Sequence, residues 1–161
     1  MCRHRAGGSV DAMSTANSPV TVPGYVNAIV RTLLRSPFHR LMSRNTLLMS
    51  FTGRKTGKRY TVVVRYFPEG DVLNCYTDSK WWRNLRGGAP VDLLLAGRTR
   101  PAIATAVTDP TAVAASLGAF LTAVPGDSKY YGVRRRDDGA PDPDDILAAA
   151  RYTTLVRIRL Q

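Results

Sequence analysis

Residues 47–65 read Leu47-Leu48-Met49-Ser50-Phe51-Thr52-Gly53-Arg54-Lys55-Thr56-Gly57-Lys58-Arg59-Tyr60-Thr61-Val62-Val63-Val64-Arg65. Two β-like apolar runs flank a short turn in which Gly53 and Gly57 bracket Arg54 and Lys55, and Lys58 and Arg59 follow directly. The pattern predicts an antiparallel hairpin. Glycine permits positive φ and close backbone approach, so amides, Thr56 and four cations can converge on one anion at the hairpin tip. A cation about 4 Å from one phosphate charge gains about 4 kcal/mol at an intermediate dielectric, before desolvation is set against it. This is not a nucleotide-type phosphate loop, because the spacing differs and a strand rather than a helix follows. Glycine- and lysine-rich turns are also common as plain solvated surface.

Charge along the chain bears on that choice. Residues 1–68 hold eleven Lys/Arg against Asp11 alone, a balance of +10, and no carboxylate occurs between Asp11 and Glu69. The remaining 93 residues hold twelve cations and eleven acids, so nearly all of the net +11 lies in the first part of the chain. A whole segment of one sign predicts a polyanionic partner: phosphate ester, polycarboxylate, nucleic acid or anionic lipid.

Several chemistries are disfavoured. Cys2 and Cys75 are the two cysteines and His4 and His39 the two histidines, so a disulfide framework, a zinc cage and a histidine-centred triad lack their residues. No metal site is expected. No apolar run approaches the roughly 18 residues that a membrane span requires, and the basic N-terminus lacks an apolar signal core. The cytoplasm is the default compartment.

At 161 residues with 44% hydrophobic content, the chain is long enough for one domain that buries about 70% of its unfolded surface. Residues 1–20 are polar and aperiodic and predict a disordered tail, with Met13 an alternative start, ahead of a single domain over 21–161. From Pro23 the residues Val26, Ile29, Val30, Leu33 and Leu34 repeat with a helical period, Arg31 and Arg35 lie on another face, and Pro37 ends the run. Such a helix can cover an open end of a sheet or touch an anionic membrane surface. Further strands are expected over 61–67, 72–77, 91–95, 100–107 and 153–160, with turns at Gly70-Asp71 and around Gly97. Asp78-Ser79 reads as the cap of a short helix over 80–86 carrying Trp81 and Trp82. Asp109-Pro110 opens a longer helix, Tyr130 and Tyr131 fall in a loop, and Asp142 opens a last short helix. Short antiparallel pairs with inserted helices predict a mainly β (α+β) chain, a small six-stranded antiparallel barrel rather than a sandwich.

Gly53-Arg54-Lys55-Thr56-Gly57 with Arg59 shortly after, a strand, a Gly-Asp turn, a strand, and Trp82 with Asn84-Leu85 before a Pro90 strand resembles the deazaflavin-dependent nitroreductase and quinone reductase family. The resemblance covers about residues 22–107 and more loosely the terminal strand. It implies a split β-barrel of the flavin-binding type and reduced coenzyme F-420 as hydride donor, whose phosphodiester and polyglutamate tail would account for the lopsided charge. By resemblance Arg54, Lys55, Thr56, Gly57 and Arg59 would hold the phosphate and the start of the tail. Thr61 and Val62 would lie along the deazaflavin ring, Thr77, Ser79 and Lys80 would close its other side, and Trp82 and Asn84 match the family's short aromatic helix. Ser79, Tyr130 and Tyr131 are the candidate proton donors, with packing of the two tyrosines and of Trp81 and Trp82 as the plainer role.

The segment 77–81 is shorter than the glycine- and proline-containing loop of the nitro-activating members. The turn also carries Lys58-Arg59-Tyr60 where those members have proline, so their substrates do not transfer. The implied reaction is hydride transfer to an electron-poor small molecule, a quinone, enone or nitro compound. FMN or a tetrapyrrole in the same barrel is one alternative, although neither needs so many cations. A non-enzymatic module for nucleic acid or anionic lipid is the other, with thin support from exposed aromatics for stacking. The sequence leaves monomer and homodimer open.

Overall fold

The computed structural model describes residues 45–161. The expected tail over 1–20 and the amphipathic helix from Pro23, with its membrane contact, lie outside the described residues. No described helix is long and apolar enough to cross a membrane.

β1 (Thr46–Thr52) and β2 (Arg59–Arg65) form the predicted hairpin, paired antiparallel from Thr52↔Arg59 to Thr46↔Arg65. Alternation sends successive side chains to opposite faces. Leu47, Met49 and Phe51 are buried opposite Val64, Val62 and Tyr60, while Leu48, Ser50 and Thr52 face outward with Val63, Thr61 and Arg59. β3 (Phe67–Glu69) and β4 (Val72–Thr77) make a second hairpin. β5 (Ala89–Leu95) and β6 (Arg98–Val107) meet at a two-residue turn, Ala96 and Gly97, whose φ values of 48° and 78° suit a tight hairpin. β7 (Thr154–Leu160) lies between β6 and β4.

All seven strands belong to one sheet in the order β2-β1-β5-β6-β7-β4-β3. β2 and β3 are its two edges, yet Tyr66 alone separates them in the chain. Consecutive Cα atoms are about 3.8 Å apart, so the sheet curls until its edges come together. The expected six strands are thereby corrected to seven. What reads as one strand over 61–67 breaks at Tyr66, whose amide donates to the Asn45 carbonyl at 2.8 Å, while Phe67 turns to pair with Asn74 on β4.

The curl creates two apolar layers. Inside it, Leu47, Met49, Phe51, Leu73, Cys75, Leu93, Val156 and Ile158 pack with Leu85, each of the larger side chains contributing roughly 1.5–3 kcal/mol by burial. Outside it, α1 (Pro110–Ala123) and α2 (Pro143–Ala150) lay Val113, Leu117, Phe120, Leu121 and Ile146 over the outward-facing Phe67, Tyr76, Val107 and Leu155. Asp109 accepts from the Ala112 amide at 2.8 Å, and Asp142 accepts from the amides of Asp144 and Asp145. Both caps stand directly before the prolines that open the helices, where a missing N–H costs nothing.

Two further expectations are corrected. The segment after β4 is a 3-10 helix, Lys80–Leu85, and the Ser79 side chain does not cap it; the Ser79 amide instead donates to Thr77 Oγ1 at 3.1 Å. The loop expected to carry Tyr130 and Tyr131 is a second 3-10 helix, Pro125–Tyr131, begun by Pro125 and closed by Gly132 at φ 66°. Repeated i+3 bonding eclipses side chains and limits such helices to short pieces.

Candidate functional site

Strand register decides what meets what. The pairings Thr52↔Arg59, Ser50↔Asp92, Ala89↔Ala104, Val107↔Leu155 and Thr77↔Thr154 bring the ends of β1, β4 and β6 and the starts of β2, β5 and β7 to one end of the curled sheet. The turn 53–58 and the helix Lys80–Leu85 attach there, and the cavity that Tyr130 and Tyr131 line reaches Thr77 and Thr153 at the same end.

The turn is rigidly built. The Gly53 amide donates to the Lys58 carbonyl at 2.7 Å and the Gly57 amide to the Gly53 carbonyl at 2.8 Å, with Gly57 at φ 64°. Thr56 Oγ1 pairs with the Tyr60 hydroxyl at 3.1 Å and accepts from the Lys58 amide at 3.3 Å. The Arg54 amide donates to Asn84 Oδ1 at 3.0 Å, and Asn84 Nδ2 donates to the Trp81 carbonyl at 2.9 Å. Asn84 thus fastens the hairpin tip to the short helix.

The four cations of the turn differ in what they already hold. Arg54 donates to the Arg86 carbonyl at 3.1 Å. Arg59 is ion-paired with Asp92 on the outer face of β5. Lys55 and Lys58 are exposed, and neither side chain has a partner among the described residues. The amides of Lys55 and Thr56 also lack a partner there. These two lysines and two amides, with the Arg54 N–H groups that the carbonyl does not take, are the donors that the turn offers to an anion.

Thr61 and Val62 stand on opposite faces of β2. Thr61 Oγ1 pairs outward with Ser50 Oγ at 2.8 Å, whereas Val62 packs into the interior. Trp81 and Trp82 also divide. Trp81 stacks on Phe51 with ring centroids 5.8 Å apart, and Tyr60 stacks on the same ring at 5.9 Å. Trp82 instead lies under the guanidinium of Arg86 at 4.9 Å, a cation–π contact at the half-exposed rim.

Thr77, Tyr130 and Tyr131 line a cavity of about 390 Å³ together with Tyr76, Asp78 and Tyr152. Tyr131 meets Tyr76 and Phe120 edge-on, with centroids 6.2 and 6.1 Å away. Burial first, and the nearby Asp127 carboxylate second, push its phenol well above the ordinary tyrosine value, which makes it a weak acid at neutral pH. Tyr130 is 68% exposed, with the Lys129 ammonium 5.1 Å from its ring. Ser79 and Lys80 are exposed between this cavity and the turn, and Ser79 Oγ reaches Asp78 Oδ1 at 3.4 Å. Cys75 is buried and its thiol pushed up to about 12 by burial, which suppresses thiolate chemistry.

The sequence reading omits Asp92, Asp127 and Tyr152. Asp92 carries a signal, being the one acid inside the apolar run 91–95. Its pairing with Arg59, 33 residues away, depends on how β1 joins the two hairpins.

No protein-family model matches this chain, and no curated protein does. Among solved structures it is similar to a chain described as a domain-swapped dimer, at 14% identity and a TM-score of 0.49, over 84% of this chain and 98% of that one. It is similar to a structure described as an F-420 reductase at 16% identity and a TM-score of 0.40, over 78% of this chain and 94% of that one. It is also similar to the FAD- and heme-binding protein from Mycobacterium smegmatis at 17% identity and a TM-score of 0.44, over 75% of this chain and 63% of that one. These likenesses are distant.

Proposed function

We propose that this chain is a split-barrel oxidoreductase that binds coenzyme F-420 and passes a hydride from its reduced form to an electron-poor small molecule such as a quinone, enone or nitro compound. One observation carries the reading. Lys55, Lys58 and the amides of Lys55 and Thr56, which have no partner among the described residues, form a grip at the same end of the sheet as the tyrosine-lined cavity, joined to it by the short tryptophan helix.

The donor set suits a phosphodiester followed by carboxylates, because it combines oriented amides with flexible ammonium groups. The deazaflavin, when bound, supplies the hydride chemistry. The protein's part is position and charge. The turn anchors the tail, Asn84 keeps the turn against the short helix, and the cavity beside Thr77 offers aromatic walls to an acceptor. Burial makes Tyr131 a poorer acid than an ordinary tyrosine and the Ser79 hydroxyl is no stronger, so Tyr130 at the surface or solvent is the favoured proton source.

A second reading, FMN in the same groove, is favoured by one feature: Arg59 is ion-paired with Asp92, so three of the turn's four cations, Arg54, Lys55 and Lys58, are left for the ligand. One phosphate needs no more. The assay is oxidation of reduced F-420 by a soluble quinone with and without the protein. Acceleration that FMN does not compete away supports the first reading; no acceleration, with FMN retained after desalting, supports the second and defeats the first.

A further inference from the structure

Among the described residues, the outward face of β4, β6 and β7 is only partly covered. α1 and α2 sit over Tyr76, Val107 and Leu155. Beyond them an open groove of about 440 Å³ runs over Val72, Ile103, Thr105, Arg157 and Arg159, and none of its lining residues belongs to the turn 53–58. Arg157 and Arg159 are exposed on one face of β7, two residues and about 6.6 Å apart along the strand. Register sets Arg157 between Asn74 and Thr105, and Arg159 between Val72 and Ile103.

An opposite charge on the facing strand stabilises a cation on a sheet face by up to about 1 kcal/mol. Here none of the four cross-strand neighbours is acidic, and neither arginine forms an ion pair with a described residue. The carboxylate that the ladder brings to this face is Glu69, opposite Val72, and it accepts from Asn74 Nδ2 at 2.7 Å. Asn74 is 1% exposed, and its Oδ1 accepts no hydrogen bond from a described residue. Two guanidinium groups thus border a groove otherwise lined by Val72, Ile103, Val107 and Leu160 with Thr105 and Gln161.

We propose that this groove is a binding site for a small amphipathic anion. A carboxylate or phosphate monoester lies between Arg157 and Arg159, whose planar forks match two acid oxygens. Its apolar body lies on Val72, Ile103 and Val107, and Thr105 adds a hydroxyl beside Arg157. The site is independent of the cofactor reading.

The test is titration of the full chain with phenyl phosphate, hexanoate and inorganic phosphate, followed by calorimetry and amide NMR. It is repeated on Arg157→Gln/Arg159→Gln and on Lys55→Ala/Lys58→Ala. At least one of the two amphiphiles is expected to bind about ten-fold more tightly than inorganic phosphate, shift the Ile103 and Thr105 resonances, lose that binding in the arginine pair and keep it in the lysine pair. Which amphiphile binds names the acid. Equal affinity for inorganic phosphate, binding insensitive to the arginine substitutions, or no binding at millimolar concentration overturns the proposal. Both arginines are exposed, so an unchanged melting temperature certifies the folded variant.

Discussion

Gly53 and Gly57 fill the same turn for different reasons. Gly57 has φ 64° with open space around it, so Gly57→Ala meets only the backbone cost of a left-handed residue, about 1–2 kcal/mol. At Gly53 an added Cβ would lie 2.6 Å from the Tyr60 ring and 2.7 Å from Thr56 Oγ1. The Tyr60 ring is stacked on Phe51 and cannot yield freely. Gly53→Ala is therefore expected to cost about 1–3 kcal/mol by overpacking and to break the Thr56–Tyr60 bond. Urea unfolding, with Tyr60 aromatic shifts as the local reporter, checks both: Tyr60 should move in Gly53→Ala and stay in Gly57→Ala. Asp92 is the residue that sets how many cations the grip can use. Asp92→Asn releases Arg59 and should tighten binding of a polyanion several-fold at low salt, a gain that shrinks as salt screens it. Weaker binding instead would mean that Asp92 aims Arg59 at the ligand.

Among the elements, the helix layer offers a pH test. The Tyr76 hydroxyl donates to the Ser116 carbonyl at 3.0 Å, and burial, the largest cause, pushes its phenol from 10.0 up to about 12. A group raised on folding keeps its contribution below the unfolded value and loses it as pH climbs toward the folded one. Stability should therefore hold up to about pH 10 and fall between 10 and about 12, more steeply than in Tyr76→Phe, as followed by denaturant midpoints. The strands were legible in the sequence because a half-buried strand writes its period of two into Leu47, Met49 and Phe51 or Val156, Ile158 and Leu160. The helix starts were legible because Asp109 and Asp142 stand directly before prolines. The break at Tyr66 was not, because nothing in Val64-Arg65-Tyr66-Phe67 interrupts the β pattern; closure of the sheet imposes it from outside. The segment Pro125–Tyr131 read as a loop because its helical turns are too short to show a period.

For the whole molecule, the curl that joins β2 to β3 through Tyr66 is also what gathers the candidate site. It sets the starts and ends of alternate strands at one rim, where a charged turn, two tryptophans and a tyrosine-lined cavity meet. Residue types at that rim could be read in advance; their pairings could not, since Arg59 with Asp92 and Arg54 with Asn84 each span about thirty residues and depend on register. The ion pair with Asp92 occupies Arg59, one of the five turn residues expected to hold the phosphate, while Lys55 and Lys58 have no side-chain partner among the described residues. Equilibrium binding of F-420 and FMN to the full chain at two salt concentrations, with Lys55→Ala/Lys58→Ala alongside, tests the central claim most directly. Micromolar, salt-sensitive binding of F-420, tighter than that of FMN and lost in the double variant, is the predicted result. Absence of F-420 binding, or binding that the double variant leaves intact, would contradict it.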